Sequence, residues 1–268
     1  MVSAANPYAV KAAVAILEKG GSATDAAIAA HLVLGLVEPQ SSGLGGGGFM
    51  LNFDFKTNDL TFIDGRETAP SSAKIDMFMK DDGTVMSFME AVPSGKAVGT
   101  PGIVALYETA HKAYGLLPWN VLFKDAIDLA NNGFIVSPRL ASYVELAEKR
   151  GRLSKNPLTK KYFYPNGVKI KNGDLLKNFE YAKTPPPTTN NATSPIIANL
   201  SLLLLAAEAI AVGVFSVTAS IVDSSTGVEE TNSAITGSAV GGGGEPAKSP
   251  TVDHSEKPSS IAKSPAVA

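Results

Sequence analysis

Arg66 and Glu67 stand side by side in Asp64-Gly65-Arg66-Glu67-Thr68-Ala69-Pro70, and this pair has the most to offer as a binding site. A planar guanidinium grips a carboxylate through two parallel hydrogen bonds, which suits the end group of an amino acid. The adjacent carboxylate offers a ligand for an ammonium group. Each side chain also has a plain reading: an ion pair with a neighbouring acid for Arg66, and a solvated acid for Glu67. Spacing alone does not choose between them.

The elements that must hold the pair are legible just upstream. Ser22 and Asp25 have the spacing of a helix capping box, and the alanine-rich run after them propagates a helix well. Apolar residues cover nearly its whole circumference up to Val37, so it should be buried on most sides. Pro39 stops it. Glycine then fills five of the six positions 43–48, giving up backbone entropy for conformations that a Cβ hinders. Such a turn lets either a backbone or a ligand come close. Phe49, Leu51, Phe53 and Phe55 alternate with Met50, Asn52, Asp54 and Lys56, the period of a half-buried strand. Thr57-Asn58-Asp59 is a turn, Leu60 to Ile63 a return strand, and Asp64-Gly65 a break that presents Arg66.

Gly43, Gly45 and Gly48 spell a G-x-G-x-x-G, but a helix precedes it and a strand follows. Dinucleotide binding needs the reverse order, with a helix N-terminus facing the pyrophosphate. Further helices should run from Asn6-Pro7 to Gly20-Gly21, over Ile103 to Tyr114, over Trp119 to Asn131, and from Ser137-Pro138 to near Gly151. These are scaffold.

Other chemistries find little support. His31 lies on an apolar helix and reads as a packed core histidine, His111 on a mixed face, and His254 in the tail. Three scattered histidines and no cysteine leave zinc without its usual ligands. There is no G-x-S-x-G elbow. Asp76, Asp81 and Asp82 lack the spacing of a calcium loop. A net charge of −2, a pI near 6.0 and no basic cluster argue against nucleic acid.

The chain closely resembles the gamma-glutamyltranspeptidases, or glutathione hydrolases. The similarity begins at Val2-Ser3-Ala4-Ala5-Asn6-Pro7. It is densest through Gly21 to Ala27, Glu38 to Phe49 and Asp64 to Pro70. It continues through Ala97 to Gly102, Tyr114 to Trp119 and Ala126 to Ala130, and fades after about Asn178. The resemblance implies an α/β fold, part of the αββα sandwich of an N-terminal-nucleophile hydrolase, matured by cleavage into large and small subunits. It gives Arg66 the role of holding the α-carboxylate of the glutamyl group, with Glu67 supporting the same pocket. The implied partners are glutathione or other γ-glutamyl compounds and a small subunit, and no cofactor is implied. A threonine hydroxyl would attack the γ-glutamyl amide, helped by its own α-amino group.

That nucleophile belongs in a Thr-Thr-His context, and this sequence has none. Its one Thr-Thr pair, Thr188-Thr189, sits between three prolines and Asn190 and reads as linker. No segment matches the small subunit's aspartate, serine pair or oxyanion glycines, and Gly241 to Gly244 read as a flexible link. No catalytic residue is therefore assigned, and the chain alone should be inactive.

Composition divides the chain at about residue 182. Every aromatic residue but Phe215, and every arginine, lies before that point. Residues 183–268 are rich in Pro, Ser, Thr and Gly and should be largely disordered. Within them, 195–217 is a long apolar run interrupted by Asn199 and Glu208. It reads first as a helix packed weakly on the body and second as a membrane segment. Relatives are typically exported or held at the cell surface. Here Met1 leads straight into family-like sequence, so no signal segment is expected.

Overall fold

The computed structural model describes residues 1–183 except 93, 152, 154 and 155, together with 218 and 219. The chain divides into two units, Met1–Asp223 and Ser224–Ala268, the second lying outside the described residues. So do Thr188-Thr189, the apolar run 195–217 and Gly241 to Gly244.

Strand β1 (Val2–Ser3) leads into α1 (Pro7–Glu18), capped by Asn6, whose side chain accepts from Tyr8 N at 3.0 Å. Pro7 stands in the first turn, where a missing N–H costs nothing. Gly20, at φ 84°, turns the chain into α2 (Ala23–Val37). The capping box predicted for α2 is present: Asp25 N donates to Ser22 Oγ at 3.0 Å and Ser22 N to Asp25 Oδ2 at 2.9 Å. Helix α2 is buried almost throughout, and α1 packs along it.

Asp25 does more than cap. Its carboxylate is fully buried, and Oδ2 also accepts from Leu116 N and Leu117 N at 2.9 and 3.0 Å. Three backbone donors thus stand in for water at Oδ2, while Oδ1 has no hydrogen-bond partner among the described residues and lies 3.7 Å from His111 Nε2. The carboxylate ties the start of α2 to the loop that follows Tyr114.

Strands β2 (Gly48–Asp54) and β3 (Asp59–Gly65) form an antiparallel hairpin in which Phe49 faces Asp64 and Leu51 faces Phe62. The return strand thus runs through Asp64-Gly65 instead of breaking there. Met50 and Ile63 turn inward, packed against the core. Phe49, Leu51, Phe53, Leu60 and Phe62 are each more than half exposed. The alternation of a half-buried strand is present, but its more apolar face is uncovered among the described residues.

A long excursion follows, containing the single turn α3 (Phe88–Ala91) and closed at its neck by paired Thr68 and Thr100. Helix α4 (Ile103–Tyr114) then crosses β3 and α2. A 3₁₀ turn, Trp119–Phe123, runs into α5 (Lys124–Asn132), so the helix expected over Trp119 to Asn131 begins as a tighter one. Gly133, at φ 96°, stops it. Beyond lie β4 (Phe134–Ile135), α6 (Pro138–Lys149), α7 (Pro157–Phe163), β5 (Leu175–Leu176) and α8 (Phe179–Ala182). β4 pairs with β5, and β1 with β6 (Thr218–Ala219).

The core is α2 surrounded by helices. Tyr181 of α8 reaches it, donating to Leu32 O at 2.7 Å over Gly35, where a Cβ would lie 2.9 Å from the phenol oxygen. Among the described residues every sheet is two-stranded, and no helix is long and apolar enough to cross a membrane.

His31 is indeed a packed histidine. The hydroxyl of Tyr107, on α4, shares a hydrogen bond with His31 Nδ1, and the two rings meet edge to face. Desolvation pushes the imidazole down to about 4. A base depressed in the folded state is neutral in both states above pH 6.5, and the unfolded chain takes up the proton first as pH falls. Stability should therefore drop on acidification from pH 6.5 to 5, by about 1 to 2 kcal/mol. Denaturant melts of wild type and His31→Gln should diverge over this interval, with the variant the less pH-dependent.

Candidate functional site

Arg66 and Glu67 emerge where β3 ends, and they pair: Arg66 Nε lies 2.8 Å from Glu67 Oε2. The plain reading of Arg66, an ion pair with its neighbour, is therefore present. The contact is made at Nε, and the side chain stays 63% exposed, Glu67 34%. An exposed pair of this kind contributes at most about 1 kcal/mol, so an incoming carboxylate can displace Glu67 at little cost. Arg66 N donates to Asp64 Oδ1 at 2.9 Å, which fixes the turn from which the guanidinium projects.

What holds this turn is backbone, and here the glycine run finds its use. A Cβ on Gly47 would lie 2.6 Å from both Glu67 N and Gly65 O, and 2.7 Å from Glu67 Oε2. One on Gly102 would lie 2.4 Å from Gly65 O and 2.9 Å from Arg66 O. On Gly65 itself it would meet Leu106 Cβ at 2.5 Å, and on Gly99 it would meet Glu67 Cβ at 2.9 Å. Two glycine segments, 46–48 and 99–102, therefore close on Gly65-Arg66-Glu67. Hydrogen bonds fasten them: Gly46 O accepts from Gly102 N and Ile103 N, both at 3.1 Å. Thr68 N donates to Thr100 O at 3.3 Å, and Thr100 N to Thr68 O at 2.8 Å. Of the two uses open to the glycine run, close approach of backbone to backbone is the one seen at Gly47. At Gly43 there is open space.

Helix α2 precedes the run and β2 follows it, the reverse of the order that dinucleotide binding needs, and the N-terminus of α4 is turned to Gly46 O. Helix α4 braces the far side, Tyr114 Oη donating to Thr61 Oγ1 at 2.9 Å, while Thr24 Oγ1 of α2 donates to Asn52 Oδ1 at 3.2 Å. The hairpin is thus held from both helices.

The partner segment Gly99 to Gly102 is the part of the site that the residues did not announce. Its signal was Gly99-Thr100-Pro101-Gly102 before a helix, which reads as a helix start and says nothing of what it touches. The histidines lie apart from the pair. His111 Nε2 donates to Leu117 O at 2.8 Å and its ring packs on Trp119, while Asp76, Asp81 and Asp82 sit in the excursion. Among the described residues no group of acids and histidines is placed to hold a metal ion.

What this geometry can do is bind an anion at an open arginine beside an acid, on a turn that main-chain contacts keep rigid. Comparison with known proteins gives the family of the chain. The family model for gamma-glutamyltranspeptidase matches residues 9–186. The glutathione hydrolase proenzyme of Bacillus subtilis strain 168 is 41% identical over 185 residues, covering 69% of this chain and 31% of that protein. The capsule biosynthesis protein CapD proenzyme of Bacillus anthracis is 38% identical over 183 residues, covering 68% of this chain and 30% of that one. The crystal structure of Helicobacter pylori gamma-glutamyltranspeptidase superposes with a TM-score of 0.63 at 34% identity, over 68% of this chain and 51% of that one. The chain thus spans about a third of the length of the curated relatives it matches. Its match runs through the glycine turn, the hairpin and Arg66-Glu67, and the chain belongs to the gamma-glutamyltranspeptidase family.

Proposed function

We propose that this chain supplies the glutamyl-binding wall of a γ-glutamyl hydrolase or transferase acting on glutathione and related compounds. The observation that carries the reading is the exposed guanidinium of Arg66, held by a turn that two glycine segments clamp. In this role Arg66 grips the α-carboxylate of the glutamyl group from two sides. Glu67, displaced from Arg66, turns to the α-ammonium beside it. Residues 1–182 then form the large-subunit portion of an αββα sandwich, and 183–268 its tail, in which Thr218–Ala219 pairs with β1.

The chemistry is completed by a small subunit. A threonine at its N-terminus, with its own amino group as base, attacks the γ-glutamyl carbonyl and expels the amine. Water or an acceptor amine then releases the glutamyl group from the ester. The uncovered apolar face of the hairpin fits a body that is finished by further chain.

The purified chain should release no amine from a γ-glutamyl anilide above the level of its Arg66→Ala variant. Release that depends on Arg66 would show that the chain carries its own nucleophile. The alternative is a non-catalytic product that binds γ-glutamyl compounds or pairs with intact subunits. It predicts glutathione binding without turnover even when a family small subunit is supplied.

A further inference from the structure

We propose that Glu38 is a positioning residue for the Arg66 site, its buried carboxylate locking the turn that lays the glycine segment onto Gly65-Arg66-Glu67. The proposal rests on the reading of Arg66 as a carboxylate binder.

Glu38 ends α2 and is only 2% exposed. Its backbone makes the turn: Glu38 O accepts from Ser41 N at 2.9 Å and Ser42 N at 3.1 Å. Its side chain collects donors from three other parts of the chain. Oε1 accepts from Asn6 Nδ2, at the cap of α1, at 2.7 Å and from Ser137 Oγ, at the cap of α6, at 3.4 Å. Oε2 accepts from Gln40 Nε2 and lies 3.5 Å from Arg139 Nε. Each of these four neighbours presents a donor, and Arg139 brings a positive charge, which is the setting an ionised carboxylate needs when buried.

Gln40 carries the effect to the turn. It is 2% exposed, its Nε2 is spent on Glu38, and its Oε1 has no hydrogen-bond partner. An ionised carboxylate admits only one orientation of that amide, nitrogen inward. The constraint then passes along the chain: Gly43 O accepts from Gly46 N at 3.3 Å, and Gly46 O holds Gly102 N and Ile103 N. Gly47 rests on Gly65 and Glu67. A Glu38→Gln amide would bring its own N–H₂, lose the charge facing Arg139, and let Gln40 turn over to satisfy its free oxygen. Position 40 would then no longer be fixed, nor would the glycines after it.

The test is amide hydrogen exchange on the full chain, for wild type, Glu38→Gln and Gln40→Met, with glutathione binding measured on the same samples. Exchange at Gly102 and Ile103 should quicken about tenfold in Glu38→Gln, the equivalent of one charged hydrogen bond, and less in Gln40→Met. Leu116 and Leu117, whose amides donate to Asp25, should be unchanged. A merely structural role would move all four together, and that result, or no change at Gly102 and Ile103, overturns the proposal. If Glu38→Gln does not fold, Gln40→Met decides by the same two pairs of amides. If wild type binds no glutathione the reading of Arg66 fails, and the exchange pattern still decides whether Glu38 positions the turn.

Discussion

Replacing Arg66 by alanine is expected to weaken glutathione binding by a factor of about 100 or more while leaving the fold intact. The side chain is 63% exposed and pairs with the neighbouring Glu67, so truncation opens no cavity and breaks one surface pair. Stability should move by no more than about 0.5 kcal/mol. Binding is different, because a guanidinium meeting a carboxylate through two charge-assisted bonds contributes about 3 kcal/mol or more when one partner is removed. At about 1.4 kcal/mol per factor of ten, that is a loss of two orders of magnitude. Arg66→Lys should recover only part of it, since an ammonium keeps the charge and loses the two-pronged geometry. Titration of the purified variants with glutathione, beside their thermal melts, measures both quantities. Equal affinity in wild type and Arg66→Ala would remove Arg66 from the site.

The second large effect concerns a residue that touches no ligand. Gly102→Ala would place a methyl 2.4 Å from Gly65 O and 2.8 Å from Gly65 C, and neither atom can swing away as a side-chain end could. The two segments must part, which strains the Thr68–Thr100 bridge and the bonds from Gly102 and Ile103 to Gly46 O. Overpacking of this kind costs about 3 kcal/mol. Because the segments part at Arg66 itself, affinity for glutathione should fall with stability. Gly43→Ala is the control: the same residue type in the same run, with nothing within 4 Å of the added carbon, should shift stability by less than about 0.5 kcal/mol. Urea melts of the two variants should differ clearly. If they do not, the glycines serve some other end than the clamp.

Local punctuation was legible in the sequence because it depends on neighbours in the chain. The cap at Asn6, the box of Ser22 and Asp25, the arrest by Pro39 and the stops at Gly20 and Gly133 all stand where their chemistry predicts. Arg66 and Glu67 were singled out by residue type, and the family motif around them gave them roles. What stayed hidden involves partners far along the chain. Asp25 reads as a capping acid, yet two of its donors come from Leu116 and Leu117. Gly102 reads as a helix start, yet its reason to lack a Cβ is Gly65. Glu38 reads as the end of a helix, yet its carboxylate joins Asn6 to Ser137. The hairpin shows a related limit: a period of two marks a face but does not say what covers it, and the phenylalanine face lies open among the described residues.

The most direct measurement varies the ligand and the protein together. Affinities of wild type and Arg66→Ala would be determined for glutathione and for its analogue lacking the α-carboxylate of the glutamyl group. If Arg66 holds that carboxylate, removing it should cost wild type about 100-fold and cost the variant almost nothing, so that the two losses do not add. Losses that simply add, or an analogue that wild type binds as well as glutathione, would contradict the account.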